Sequence, residues 1–288
     1  MSKKKRMGLR YFILSFLITF SVVTVIAFLA LMQVLNPAPA QSITEKVPKI
    51  EHTFSESDSI TVLVTGYSRK QPQTAYYSLV RLDAPNQRVL VTSLPAETVI
   101  SDQEGQSTLS EITAYSGSSS LVGKLSEALN VEIDRYLRIE ETAFSDLVDS
   151  FGAVTYVCPK RVEYYDQNGF LAYSMSEGKH VFFGEKLCGL IKYSGSNSAE
   201  RANEQSKILC ELFSQRISSG AYTDIQAVFE ELIGSCESSI NAFDFEARRA
   251  ALEQIVKDKD IRFTTIEFVP TDDNTLNEEY LKSLSVYR

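Results

Sequence analysis

Ile60-Thr61-Val62-Leu63-Val64-Thr65-Gly66 is a short apolar run ending in glycine, and it reads as a buried strand that opens into a loop. Two more β-rich runs follow, Tyr76 to Leu82 and Val89 to Leu94, separated by the turn Asp83-Ala84-Pro85-Asn86. Together the three predict the start of a sheet. Further on, Leu121, Val122, Leu125, Ala128 and Leu129 form a helical stripe within Ser120 to Leu129. Arg135 to Ile139 reads as a strand, and Glu141 to Phe151 as a helix closed by Gly152. Val154 to Val157 returns to strand, and Gln167-Asn168-Gly169 inside Tyr164 to Tyr173 signals a hairpin. Helical patterns then cover Gly184 to Tyr193, Ala199 to Ser218, Thr223 to Cys236 and Phe245 to Lys257, before a last strand from Ile261 to Val269. This alternation predicts an α/β fold whose mixed central sheet is covered by helices on both faces.

Upstream of the first strand the chain changes character. Lys3, Lys4, Lys5, Arg6 and Arg10 precede Tyr11 to Leu35, a stretch without one charged side chain. Such a stretch spans the ~30 Å hydrocarbon core of a bilayer as a helix, and the basic flank places the N-terminus in the cytoplasm. The expected organisation is a cytoplasmic tail (1–10), a transmembrane signal anchor (11–35), an extracellular tether (36–57) and one exported domain (58–288). Ala38-Pro39-Ala40 has the form of a signal-peptide cleavage site, but signal h-regions run roughly 7–15 residues and this one is longer. Either way the domain is exported, and the expected location is the cell membrane, single-pass.

The net charge of −8 includes that basic flank, so the exported part is more acidic still. Nucleic acid, which needs clustered Lys and Arg against phosphates, is excluded as a partner. The four cysteines, Cys158, Cys188, Cys210 and Cys236, lie where a disulfide is permitted. Three pairings are open to them, as is the simpler state of isolated buried thiols. His52 and His180 lack ligand-spaced partners, so no metal site is expected from them. Tyr76, Tyr77, Tyr164 and Tyr165 are expected to pack in the sheet or core.

Several short motifs, in this order, resemble the LytR-CpsA-Psr family, also described as the cell envelope-related transcriptional attenuator domain. Val62 to Lys70 is similar to its strand followed by G-x-D-x-R, with Ser68 in place of the acid. Gln73-Thr74-Ala75 is similar to R-[ST]-D, with Gln73 for the arginine and Ala75 for the acid. Ser93-Leu94-Pro95-Ala96-Glu97-Thr98 resembles S-[IL]-P-R-D-T, with Ala96 for the arginine and Glu97 for the acid. Asp149 to Val154 resembles D-x-[FL]-G-G-[VI]. Phe182 to Lys192 resembles L-x-G-x-x-A-L-x-Y-x-R, with Lys192 for the arginine. Arg201 to Gln205 resembles R-x-x-R-Q, with Glu204 for the second arginine.

The resemblance implies a membrane-anchored, exported protein of cell-envelope assembly. Active relatives move glycopolymers from an undecaprenyl-pyrophosphate carrier onto peptidoglycan with Mg²⁺. That chemistry needs arginine forks and a metal held by carboxylates; Ser68 and Ala75 cannot supply the carboxylate pair, and Ala96 and Glu204 stand where arginines are expected. The expectation is therefore a catalytically degenerate member, needing no cofactor of its own, that binds a polyprenyl-phosphate lipid, a glycopolymer or an active relative. The groups left to hold a phosphate or lipid head are Arg201, Lys192, Gln205, Lys70 and Glu97, although Lys192 and Arg201 read equally as solvated helix faces. The alternatives are an active phosphotransferase with a rearranged site of Glu97, Arg201 and Lys192, or an exported scaffold without a ligand. Only about ten residues would face the cytoplasm, which argues against a transcription factor.

Overall fold

Hydrophobic alternation along three central strands sets the architecture. The computed structural model describes residues 52–69, 76–102, 105–219, 224–271 and 273–287, all within one compact unit, Glu51–Arg288. Strands β1 (Ile60–Tyr67), β2 (Tyr76–Asp83) and β3 (Arg88–Leu94) pair antiparallel, β1 with β2 and β2 with β3, in a register that sets Leu63 opposite Leu79 and Val80 opposite Val91. Successive side chains of a strand point to opposite faces, so each strand feeds two cores. Leu63, Tyr77, Leu79, Leu90 and Leu94 face one side, while Tyr76, Val89 and Val91 face the other.

A hairpin of β4 (Val99–Asp102) and β5 (Gly105–Thr108) leads into α1 (Leu109–Leu129), followed by β6 (Arg135–Glu140), which runs parallel to β1. Next come α2 (Glu141–Phe151), β7 (Val154–Cys158), the hairpin β8 (Val162–Tyr165) and β9 (Leu171–Met175), and β10 (Gly178–Phe182) paired with β7. The chain continues with α3 (Gly184–Tyr193), α4 (Ser198–Ser219), α5 (Ile225–Gly234), the short β11 (Glu237–Ser238), α6 (Ala242–Asp258), β12 (Arg262–Thr265) and α7 (Glu278–Ser283). The main sheet has six strands in the order β11-β6-β1-β2-β3-β12 and is mixed. Leu109, Leu121, Leu125 and Leu129 of α1, with Tyr280, Leu284 and Tyr287 near the C-terminus, cover one face. Leu187, Leu190, Ile191, Ile208, Leu209 and Leu212 of α3 and α4 cover the other.

The helices from Glu141 and Gly184 fall where their patterns place them. The helix expected from Ser120 instead starts at Leu109, kinked at Gly117, whose φ of 77° interrupts the periodicity. The β4–β5 hairpin was not legible either, because Ser101, Asp102, Gly105 and Gln106 carry no apolar alternation. The expected transmembrane span at 11–35 lies outside the described residues, and among those described no helix is long and apolar enough to cross a membrane. The last residues of the expected tether are already tied to the domain: Glu56 pairs with the buried Arg81, and His52 and Ser55 bind Asp58. All four cysteines are free thiols.

Candidate functional site

The expected site residues that are described lie around the ends of β1, β3 and α3 and in the first turns of α4. Ser68 follows β1 and is buried. Together with Tyr67, Tyr76, Glu141, Phe144, Cys188, Ile191 and Lys192 it lines a cleft between the sheet, α2 and α3. The room in this cleft is about 20 Å³, enough for roughly one water. Two features close it. Tyr76, at the start of β2, lays its ring against Gly66, where any Cβ would overlap it. Lys192, whose side chain is only 11% exposed, donates to both carboxylate oxygens of Glu141 at 3.1 Å.

Local sequence explains the placement of that ion pair. Glu141 opens α2 and so meets the positive end of the helix, while Lys192 sits in the last turn of α3. Asp149 holds the first turn of α3 by accepting from the Gly184 N–H at 2.8 Å. The Gln205 side chain donates to the Ile191 carbonyl at 3.1 Å, so it secures the end of α3. Glu204 accepts from the Tyr156 hydroxyl at 2.8 Å and pairs with Lys207. The Cys188 thiol is pushed up to about 12, by burial first and by the charge of Glu141 second, so it is a protonated packing group at neutral pH.

The remaining expected residues do not join this cleft. Arg201 stands in the first turns of α4, and its Nε is buried without a hydrogen-bond partner among the described residues. Ala96 is half-buried and packs on the α1-side core. Glu97 is exposed on the loop after β3, where its charge reaches Tyr77 on the opposite face of the sheet from Lys192. Lys70 and Ala75 lie outside the described residues.

Mg²⁺ takes carboxylate oxygens in tight octahedral geometry. Of the acids beside the cleft, Glu141 is paired with Lys192 and Glu140 with Arg69 at 3.4 Å, and Ser68 offers only a hydroxyl. Among the described residues no group of three or more His, Cys, Asp or Glu is placed to hold a metal ion. The described residues of this cleft do not fit a bound Mg²⁺.

Two larger cavities were missed by sequence reasoning. One, of about 540 Å³, runs between β7, α4 and β12 and is lined by Tyr156, Val157, Cys210 and Phe263, with Lys207 and Glu211 at its polar side. The other, of about 330 Å³, opens on the α1 face of the sheet beside Thr65, Tyr67, Tyr77 and Arg138. The residues of the first carry no motif. The second takes Gly66, Ser68 and Arg69 from the G-x-D-x-R-like stretch, and the strand register adds Arg138, Thr65 and Tyr77 in one row.

Solved structures share this fold at low sequence identity. A protein from Eubacterium siraeum, named as a candidate transcription regulator, aligns with a TM-score of 0.69 at 17% identity over 81% of this chain and 92% of that one. TagV of Bacillus subtilis aligns at 0.62 and 18% over 81% and 98%. The LytR-CPS2A-psr family protein YwtF (TagT), solved with bound octaprenyl pyrophosphate lipid, aligns at 0.56 and 16% over 83% and 92%. No curated protein matches the chain. The model of the LytR_cpsA_psr family matches residues 32–286, and the chain belongs to that family.

Proposed function

We propose that this chain is a membrane-anchored, exported family member that has lost glycopolymer transfer and works by binding a polyprenyl-phosphate lipid, a glycopolymer end or an active relative. The observation that carries the loss of transfer is the closed cleft. The cation that replaces the family's arginine at Lys192 is neutralised by Glu141, and the Tyr76 ring fills the space beside Gly66. A transition state that releases a lipid phosphate requires donors aimed at developing charge. Lys192 gives its donors to Glu141 instead.

Binding is supported separately. Arg201 keeps a buried, unpartnered Nε, and a guanidinium fork with donors to spare suits a phosphate. A groove of about 540 Å³ with a mixed polar and apolar lining is within the range of ligand sites. One solved relative holds octaprenyl pyrophosphate lipid. The basic flank and apolar segment at the N-terminus support the membrane anchor and the outside location of the domain.

The test is native mass spectrometry of the full chain in detergent with undecaprenyl phosphate. A one-to-one adduct is expected, weakened roughly tenfold by Arg201→Ala, the loss typical of a charge-assisted hydrogen bond. No adduct with the unaltered protein removes the lipid as ligand.

A further inference from the structure

The groove of about 540 Å³ between β7 and β12 is walled by two strand edges that stand open. Among the described residues β12 ends the main sheet, and β7 pairs with β10 alone. On β12 the Arg262 and Ile266 N–H groups donate to the Gln87 and Val91 carbonyls at 3.0 and 2.9 Å, which turns residues 262, 264 and 266 toward β3. Backbone groups alternate in direction along a strand. The N–H and C=O of Phe263 and Thr265 therefore point away from β3, and both residues line the groove. On β7, Thr155 turns away from β10: its N–H donates to the Gln215 side chain at 2.9 Å, and its carbonyl accepts from that side chain at 2.5 Å. The Gln215 amide thus imitates one peptide unit of a neighbouring strand. Two residues on, Val157 presents its N–H and C=O in the same direction without a partner among the described residues, and it is 60% exposed.

An unpaired edge is a template for another strand, and here two of them flank one groove floored by Cys210 and Gln215 of α4. Charge argues against a phosphate there. Lys207 is the one cation of the lining; it is shared between Glu204 at 3.0 Å and Glu267 at 3.8 Å, and Glu211 lines the same groove. What remains to be recognised is main chain. We propose that this groove takes up an extended segment of a partner protein as an added strand, hydrogen-bonded through Phe263 and Thr265 on one side and Val157 on the other. β12 has four residues, which sets the length of the paired segment. Side chains of the guest that point toward α4 meet Tyr156, Cys210 and Phe263, so an alternation of apolar and polar residues suits it. The proposal deepens the partner-binding reading above, on which it rests, by giving this groove to a peptide.

The test uses the full chain in detergent and a fluorescent, acetylated and amidated pentapeptide of alternating threonine and valine, read by anisotropy and by hydrogen-exchange mass spectrometry. Saturable binding is expected, with exchange slowed in segments 154–158 and 262–266. The same peptide N-methylated at its three central amides keeps its side chains but loses its donors, and should not bind. Thr265→Pro deletes one outward N–H and no bond to β3, as edge strands tolerate, and should weaken binding about fivefold, the value of one neutral hydrogen bond. A melting temperature close to that of the unaltered protein checks its fold. No binding of the unmodified peptide, equal binding of the methylated one, or slow exchange of both segments in a peptide-free dimer would overturn the assignment. The probe carries neither phosphate nor lipid, so its failure leaves the undecaprenyl phosphate adduct standing, and loss of that adduct leaves this result standing.

Discussion

Gly66 and Tyr76 decide how much room is left beside Lys192. A methyl group at position 66 would overlap the Tyr76 ring, so Gly66→Ala forces the ring or strand β1 to shift. Overpacking of this kind costs about 1–3 kcal/mol, which a urea midpoint measures. Lys192→Met leaves the Glu141 carboxylate without its cation and is expected to cost about 1–3 kcal/mol, the range for stranding one partner of a buried hydrogen bond. A solvated lysine would cost nothing measurable, so this midpoint separates the two roles of Lys192. The sequence made Ser68, Ala96 and Lys192 legible because each replaces a charged type in a spaced motif. It did not reveal Glu141 as the partner of Lys192, since the pair is 51 positions apart and only the packing of α2 against α3 joins them. Nor did it show Tyr76 as the residue that fills the cleft, because its direction depends on the register of β2.

At the scale of elements, α1 and α2 show what periodicity conveys and what it conceals. Thr108 and Glu111 cap α1 reciprocally: the Thr108 hydroxyl accepts from the Glu111 N–H at 3.2 Å, and Glu111 accepts from the Thr108 N–H at 2.8 Å. Thr108→Ala should lower stability by about 1 kcal/mol, measured as a shift in the denaturation midpoint. It should also disturb the cavity on the α1 face, because Ser110 and Thr113 stand on the capped turns. The cap was hidden from sequence reasoning by the kink at Gly117, which splits the apolar stripe. The end of α2 was legible at Gly152, yet its buried partner was not. Arg216, from α4, donates to the Phe151 and Ala153 carbonyls, a contact made across the fold by a residue that sequence alone reads as one more helix charge.

For the whole molecule, the order of strands and helices was readable because both faces of the sheet are covered, and alternation along β1 to β3 records both. The closed state of the cleft was not readable, since it depends on three elements meeting. Acid stability follows from the carboxylates that tie elements together. Asp58, Asp83 and Asp244 are held below their ordinary 3.8: burial would raise each, but hydrogen bonds from Ser55 and His52, from Arg88 and Asn86, and from Arg135 and Asn241 outweigh it. Their stabilisation is complete above 3.8 and is lost as pH falls through the lower folded values. The urea midpoint should therefore drop from about pH 6 to about pH 3. The free thiols give another check. Burial, ahead of nearby acids, pushes Cys188 up to about 12 and Cys210 to about 11, and burial alone takes Cys236 to about 11, so native protein should alkylate slowly at neutral pH, and unreduced denatured protein should titrate four thiols. The most direct measurement of the central claim is turnover: the full chain, with Mg²⁺ and an undecaprenyl-pyrophosphate-linked saccharide, assayed for release of lipid phosphate. The account predicts no release above the protein-free background. Metal-dependent release that Lys192→Met or Arg201→Ala abolishes would contradict it.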